Sequence, residues 1–146
     1  MNIVAITDAS GRIVEPGWLK RAEAVHRQLR TALPADYEGK MKRVFSGGAR
    51  MCIATEGDSV RGLAVYRISE NTFEGLHLYV DDIVTDERQR SKGVGRALME
   101  HMQGLALAAG CEATTLDSGT QRQQAHKFYF REGMVVSSFH FRKPLK

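Results

Sequence analysis

The hydrophobic positions of this chain change period several times, and each change marks an element. Ile3-Val4-Ala5-Ile6 is a short apolar run that predicts a first strand, closed by the turn-forming Asp8-Ala9-Ser10-Gly11. From Trp18 the spacing becomes helical: Trp18, Ala22, Val25, Leu29 and Ala32 share one face, and Pro34 stops the run. Tyr37, Met41, Val44 and Phe45 predict a second, shorter helix ending at Gly47-Gly48. Met51 to Thr55 and Val60 to Ile68 read as two strands joined through Glu56-Gly57-Asp58-Ser59, a hairpin turn. Leu76 to Thr85 is a further strand, and Val94, Leu98, Met102, Leu105 and Ala109 then line a long helix that ends at Gly110. Glu112 to Leu116 predicts a strand, Gln121 to Arg131 a helix stopped by Gly133, and Val135 to Arg142 a last strand. The order β-α-α-β-β-β-α-β-α-β specifies an α/β (α+β) layered fold with a mixed sheet, and with no repeat or linker residues 1–146 read as a single domain.

The junction between the strand ending at Thr85 and the helix beginning near Val94 carries the first chemistry. Arg88-Gln89-Arg90-Ser91-Lys92-Gly93-Val94-Gly95-Arg96 is a basic, glycine-bearing turn that opens an amphipathic helix. Backbone N–H groups at a helix start are unpaired, and the helix dipole adds partial positive charge there. Gly93 and Gly95 let the main chain approach an anion, while Arg90, Lys92 and Arg96 add full charges. A pyrophosphate fits this turn. A Walker loop is excluded because no G-x-x-x-x-G-K-[ST] string exists. A dinucleotide fingerprint is excluded because Gly93-Val94-Gly95 is not followed by a third glycine.

Composition narrows the classes. The hydrophobic and charged fractions, 42% and 26%, are those of an ordinary globular protein. No apolar run is long enough to span a bilayer and the first residues lack a basic leader, so a cytoplasmic protein with no membrane partner is expected. Cys52 and Cys111 stand apart from each other and from histidine, which gives metal binding no support and makes both reduced thiols. The net charge of +4 comes from basic residues spread along the chain, without an aromatic-interleaved block, so nucleic acid is not the expected partner.

The string Arg90-x-x-Gly93-x-Gly95 resembles the coenzyme A loop of the GNAT superfamily of acyl-CoA N-acyltransferases. Two further segments carry the resemblance. Tyr79-Val80-Asp81-Asp82-Ile83-Val84-Thr85 leads into the turn as that family's fourth strand does, and Ala125-His126-Lys127-Phe128-Tyr129 with Gly133-Met134 is similar to its A-x-x-F-Y-x-x-x-G-F segment. Together these cover about Leu76 to Leu145, and the finer likeness is to small-molecule amine acetyltransferases, including the aminoalkylphosphonate type. The resemblance implies a mixed, mostly antiparallel sheet flanked by helices, acetyl-CoA as co-substrate, and direct acetyl transfer to a primary amine of a small molecule; with no ligand set in the sequence, no metal is expected. Transfer to a protein N-terminus or lysine, and a non-catalytic coenzyme A-binding domain, are the alternatives.

Residue by residue, the resemblance implies that the turn from Arg88 through Ser91 to Arg96 holds the pyrophosphate. The backbone of Ile83 and Val84 would pair with the pantetheine arm, and Tyr129 would protonate the departing thiolate. Arg122 departs from the asparagine common there and points to a phosphate or an anionic acceptor. Asp81 and Asp82 are candidate bases or cation anchors; adjacent strand residues point to opposite faces, so at most one of the two is expected to face the acceptor directly. Glu74, His77 and Tyr79, on or beside the same strand, are candidates for the acceptor pocket, for which the acids favour a cationic amine. The family also admits a homodimer through terminal segments; Phe139, Phe141 and Leu145 suit that role or a place in the core.

Overall fold

A two-residue turn at Gly57-Asp58, with Gly57 at φ +58°, closes the hairpin around which the fold is organised. The computed structural model describes residues 1–146. Its strands are β1 (Asn2–Ala5), β2 (Arg50–Glu56), β3 (Ser59–Asn71), β4 (Gly75–Thr85) and β5 (Ala113–Leu116). Its helices are α1 (Pro16–Leu29), α2 (Tyr37–Ser46), α3 (Val94–Ala108) and α4 (Gln123–Arg131), with one 3-10 turn at Glu87–Gln89. Residues Met1–Thr115 form one compact unit and Leu116–Lys146 a second.

The sheet runs in chain order, β1-β2-β3-β4-β5, and the first four strands pair antiparallel. β4 and β5 are neighbours joined through α3, the crossover that a parallel pair requires, so the sheet is mixed and mostly antiparallel. β2 is buried along nearly its whole length because it is covered on both faces. On one face Met51, Ile53, Leu63 and Val65 pack with Leu19, Ala22 and Val25 of α1 and with Tyr37, Met41 and Phe45 of α2. On the other, α3 buries Val94, Leu98, Met99, Met102 and Ala106. That second approach is close at Gly62, where a Cβ would lie 2.7 Å from Val94 Cγ1 and 2.8 Å from Val84 O. A side chain there would push the first turn of α3 off the sheet.

Two expected elements differ. The first helix ends at Leu29, short of Pro34, and Ala32 is exposed. Proline disfavours helical backbone at the residue before it, and the Arg27 guanidinium donates to the carbonyls of Leu33 (2.6 Å) and Pro34 (2.7 Å), fixing a loop instead. The buried stripe of α1 is accordingly Leu19, Ala22, Val25 and His26.

The last expected strand, Val135 to Arg142, is not formed. Val135, Phe139, Phe141 and Leu145 fall on one side of the segment by period two, but no strand pairs with it. A core role for Phe139, Phe141 and Leu145 is overturned, since they are 81%, 93% and 91% exposed. Periodicity announces an apolar face; it does not supply the neighbour whose hydrogen bonds make a strand. Within this second unit His140 Nδ1 lies 3.6 Å from Asp117 Oδ2, and His126 Nε2 lies 2.9 Å from Gly119 O. No helix of the chain is long and apolar enough to cross a membrane.

Candidate functional site

β3 and β4 pair residue for residue until one extra residue intervenes. Val65 is opposite Asp82 and Tyr66 is opposite Val80, so Asp81 is the additional residue of a β-bulge. The bulge breaks the alternation of side chains. Asp81 and Asp82 therefore line the same cavity, against the expectation that neighbouring strand residues face opposite ways. That cavity, about 680 Å3, lies among α1, the loop after it, α2, β3 and β4.

The two acids sit in different surroundings. Asp82 Oδ2 is 2.7 Å from His26 Nε2, and its Oδ1 accepts from Arg30 Nε at 2.7 Å. Arg30 Nη2 also donates to the Asp81 carbonyl at 3.0 Å, which ties the end of α1 to the bulge. His26 continues inward: its Nδ1 is 2.8 Å from the Tyr37 hydroxyl, the first residue of α2. A neutral imidazole satisfies the chain, with Nε2–H donating to Asp82 and the Tyr37 O–H donating to Nδ1. Burial pushes the Tyr37 phenol up, helped by Glu23 and Asp82, so the hydroxyl keeps its proton. Burial alone would raise Asp82 too, yet the hydrogen bonds from His26 and Arg30 outweigh it and hold the carboxyl below its ordinary value. Asp82 is a fixed anion.

Asp81 is paired with one partner. Arg67 Nε donates to both of its oxygens, at 2.9 and 3.1 Å, and Arg67 Nη1 donates to Gly47 O at 2.9 Å. Burial raises the Asp81 carboxyl above its ordinary value, Arg67 opposes that, and the charge of Asp82 adds to it. A half-buried carboxylate with a raised pKa beside open space is suited to taking a proton. Of the other residues expected near the acceptor, Tyr79 lines the cavity. Glu74 and His77 do not; His77 is buried and its Nδ1 lies 3.0 Å from Gly75 O, at the far end of the strand.

His26, Arg30, Tyr37, Lys40 and Arg67 line or support the cavity, and the sequence reading did not single them out. His26 had a detectable signal, since it follows Leu19 by seven and Ala22 by four on the apolar face of α1. Arg67 had none, because its partner is set by the bulge on the facing strand.

The basic turn takes the form the sequence implied. After the 3-10 turn, Ser91 adopts φ +65° and Gly93 φ +82°, and Gly93 caps α3 with no side chain capping it. The first intrahelical bond from this end is Ala97 N–H to Gly93 O, at 3.0 Å, which leaves the N–H groups of Val94, Gly95 and Arg96 directed out of the helix. A Cβ on Gly93 would meet nothing within 4 Å, so space lies open over the turn. Asp86 organises the approach: it accepts from Arg88 N (3.2 Å), Arg88 Nη2 (3.3 Å) and Gln28 Nε2 (3.2 Å), and Gln28 Oε1 accepts from Glu87 N at 2.9 Å. Arg96 is engaged with Glu100 and Lys92 with Gln89, while exposed Arg90 has no carboxylate partner. These groups fit a pyrophosphate: main-chain donors, a helix dipole, a glycine leaving room, and cations around it.

Beside the turn, Ile83 and Val84 pair with Ala64 and Leu63 of β3 on one edge. Their other edge is open along most of the end of β4, because β5 has four residues against eleven and begins where Glu112 N–H donates to Leu76 O. An extended ligand can add to that edge as a strand would. In the second unit, Arg122 is the N-cap residue of α4, and Tyr129 is buried on α4 with its ring 5.6 Å from that of Phe128.

Comparisons with known proteins bear on this arrangement. The profile of the Acetyltransferase (GNAT) family matches residues 18–134. The chain is 35% identical over 123 residues to the uncharacterized N-acetyltransferase YhdJ of Bacillus subtilis, covering 81% of this chain and 85% of that protein. It is 35% identical over 66 residues to the aminoalkylphosphonate N-acetyltransferase of Salmonella typhimurium, a local match spanning 45% of this chain and 43% of the relative. Among solved structures, the aminoglycoside N-acetyltransferase AAC(6')-Iy in complex with CoA superposes with a TM-score of 0.79 at 17% identity, over 97% of this chain and 93% of that one. At that identity the likeness is one of fold.

Proposed function

The chain belongs to the Acetyltransferase (GNAT) family, and from that premise we propose that it moves an acetyl group from acetyl-CoA to a primary amine of a small molecule. The observation that carries the reading is the glycine-capped start of α3, with outward N–H groups and open space above Gly93, reached along β4 from a cavity that holds two carboxylates. Acetyl-CoA supplies the activated acyl group. The residues from Arg88 to Arg96 bind its pyrophosphate, and the free edge at Ile83 and Val84 receives its extended arm. Arg122 is a further candidate for a phosphate.

An amine is an ammonium at neutral pH and must lose a proton before it attacks a carbonyl carbon. Asp81 is the acceptor of that proton, directly or through water, with Arg67 holding the carboxylate in place. Asp82, engaged by His26 and Arg30, acts as the anchor that keeps the bulge and α1 in register. Tyr129 donates the proton that the departing thiolate needs; a phenol and an alkyl thiol have similar proton affinities, so the transfer is nearly balanced. Within this class, the local match to the aminoalkylphosphonate enzyme favours an acceptor of that kind.

Thiol release from acetyl-CoA, followed across a panel of primary amines and checked by mass of the N-acetyl product, tests the reading. Release that depends on a small amine is expected. Acetylation of peptides alone would move the activity to a protein acceptor. Coenzyme binding with no turnover of any amine would make the chain a non-catalytic binding domain.

A further inference from the structure

The acceptor cavity contains more positive charge than its own carboxylates use. Arg30, Lys40 and Arg67 line it together with Asp81 and Asp82, three cations against two anions. Both carboxylates are already engaged. Asp82 offers one oxygen to His26 and the other to Arg30, and Asp81 offers both to Arg67 Nε. An incoming ammonium would therefore meet acids whose charge is already matched, and would have to share them with two guanidinium groups that the fold holds in place.

The donors are in the opposite condition. Arg30 spends Nε and Nη2 on Asp82 and the Asp81 carbonyl, and its Nη1 has no protein acceptor. Arg67 spends Nε on Asp81 and Nη1 on Gly47 O, and its Nη2 has none. Lys40 makes no ion pair, although Lys42, two residues on, pairs with Glu38 across one turn of α2. Lys40 differs from an ordinary solvated lysine in being half-buried, with its neighbour Met41 fixed in the core and α2 anchored at its start by Asp36. One cavity thus presents three cationic side chains, each with an N–H that no group of the protein accepts.

Resting on the reading of this cavity as the acceptor site, we infer that it selects a primary amine that also bears an anionic group, a carboxylate or a phosphonate, bound by Lys40 with the outer nitrogens of Arg30 and Arg67. The anion enters a field that is positive after the internal pairs are counted, and a planar guanidinium keeps a second edge for a second oxyanion. The apolar side chains of Leu29, Met41, Val44 and Val65 on the same walls take the carbon chain between the two ends. The two aspartates favoured a cationic amine in the sequence; their pairing with His26, Arg30 and Arg67 points to an acceptor that carries an anionic group as well.

The test uses four amines of similar length: 3-aminopropylphosphonate, 3-aminopropanoate, propylamine and 1,3-diaminopropane. With the full chain and acetyl-CoA, kcat/KM for the two anion-bearing amines should exceed that for propylamine by about tenfold or more, and diaminopropane should be poorest. The ratio of the two anionic arms tells phosphonate from carboxylate. Lys40→Met should collapse the anionic-to-neutral ratio by roughly tenfold, chiefly through KM, and Lys40→Arg should restore part of it. Propylamine or diaminopropane as the preferred acceptor, or a ratio unmoved in Lys40→Met, would overturn the inference while leaving acetyl transfer intact. Calorimetric titration of 3-aminopropylphosphonate into both proteins decides the point without turnover. Binding weakened by Lys40→Met supports an anion site even if no amine is acetylated, and absence of binding at millimolar ligand, with coenzyme still bound, rejects it.

Discussion

Asp81 and Asp82 are adjacent acids given different surroundings by their partners, and the difference is measurable. Asp82 is held below its ordinary pKa, so its contribution to stability is present above the usual carboxylate range and is lost as pH falls through its folded value. Asp82→Asn weakens both the His26 and the Arg30 bonds in a mostly buried place, and should cost about 1–3 kcal/mol in denaturant unfolding near neutral pH. Asp81 is raised, so the form that accepts a proton appears at higher pH than in an ordinary aspartate. The acid limb of kcat/KM should accordingly lie at higher pH than an ordinary aspartate would place it. Asp81→Asn should remove the limb and lower the rate by about a hundredfold, the scale of general-base catalysis, with a smaller loss of stability than Asp82→Asn. An unchanged limb in Asp81→Asn would assign the proton to another group. Sequence could nominate both residues, since each is an acid on a strand that leads into the basic turn. It could not separate them, because Arg67, Arg30 and His26 come from 14, 52 and 56 residues away.

At the scale of elements, the basic turn works because α3 is seated against the sheet at its first turn. Gly62 permits the approach, and Gly93 at φ +82° turns the chain into the helix. Gly62→Val would place a Cβ within 3.2 Å of Val94 Cγ1, Leu98 Cδ1 and Val84 O, with two methyl groups beyond it. Overpacking of this kind costs roughly 1–3 kcal/mol, and it should weaken coenzyme affinity as well, since the N–H groups of Val94 to Arg96 move with the helix. Unfolding and coenzyme titration of this variant would show the two losses together; lost stability with intact affinity would detach the helix seat from the site.

Elements of this fold were readable where one period persists locally, as in α3 and the β2–β3 hairpin. The bulge at Asp81 was not, because it is a mismatch of register between two strands and neither strand alone records it. The segment from Val135 to Arg142 has the pattern of a strand without a neighbour, and pattern alone does not distinguish the two. His26 is the instructive intermediate: its place on an apolar helix face was visible, but its partners Tyr37 and Asp82 were not.

For the molecule as a whole, the site is an assembly of two charge patterns. One is a helix start with unpaired main-chain donors ringed by Arg88, Arg90, Lys92 and Arg96. The other is a cavity in which the acids are paired internally and cationic donors are left over. On the proposed reading both patterns receive anionic groups, the coenzyme's in the first and the acceptor's in the second, which would give a chain of net charge +4 a use for its excess. The measurement that bears most directly on this account is calorimetric titration of acetyl-CoA and CoA, with NADH and ATP as controls, into the wild-type chain and Gly93→Val. The predicted result is binding of the coenzyme A pair alone, abolished in Gly93→Val, whose side chain would enter the open space over the turn. Equal binding of ATP or NADH, or full coenzyme affinity in a folded Gly93→Val protein, would contradict it.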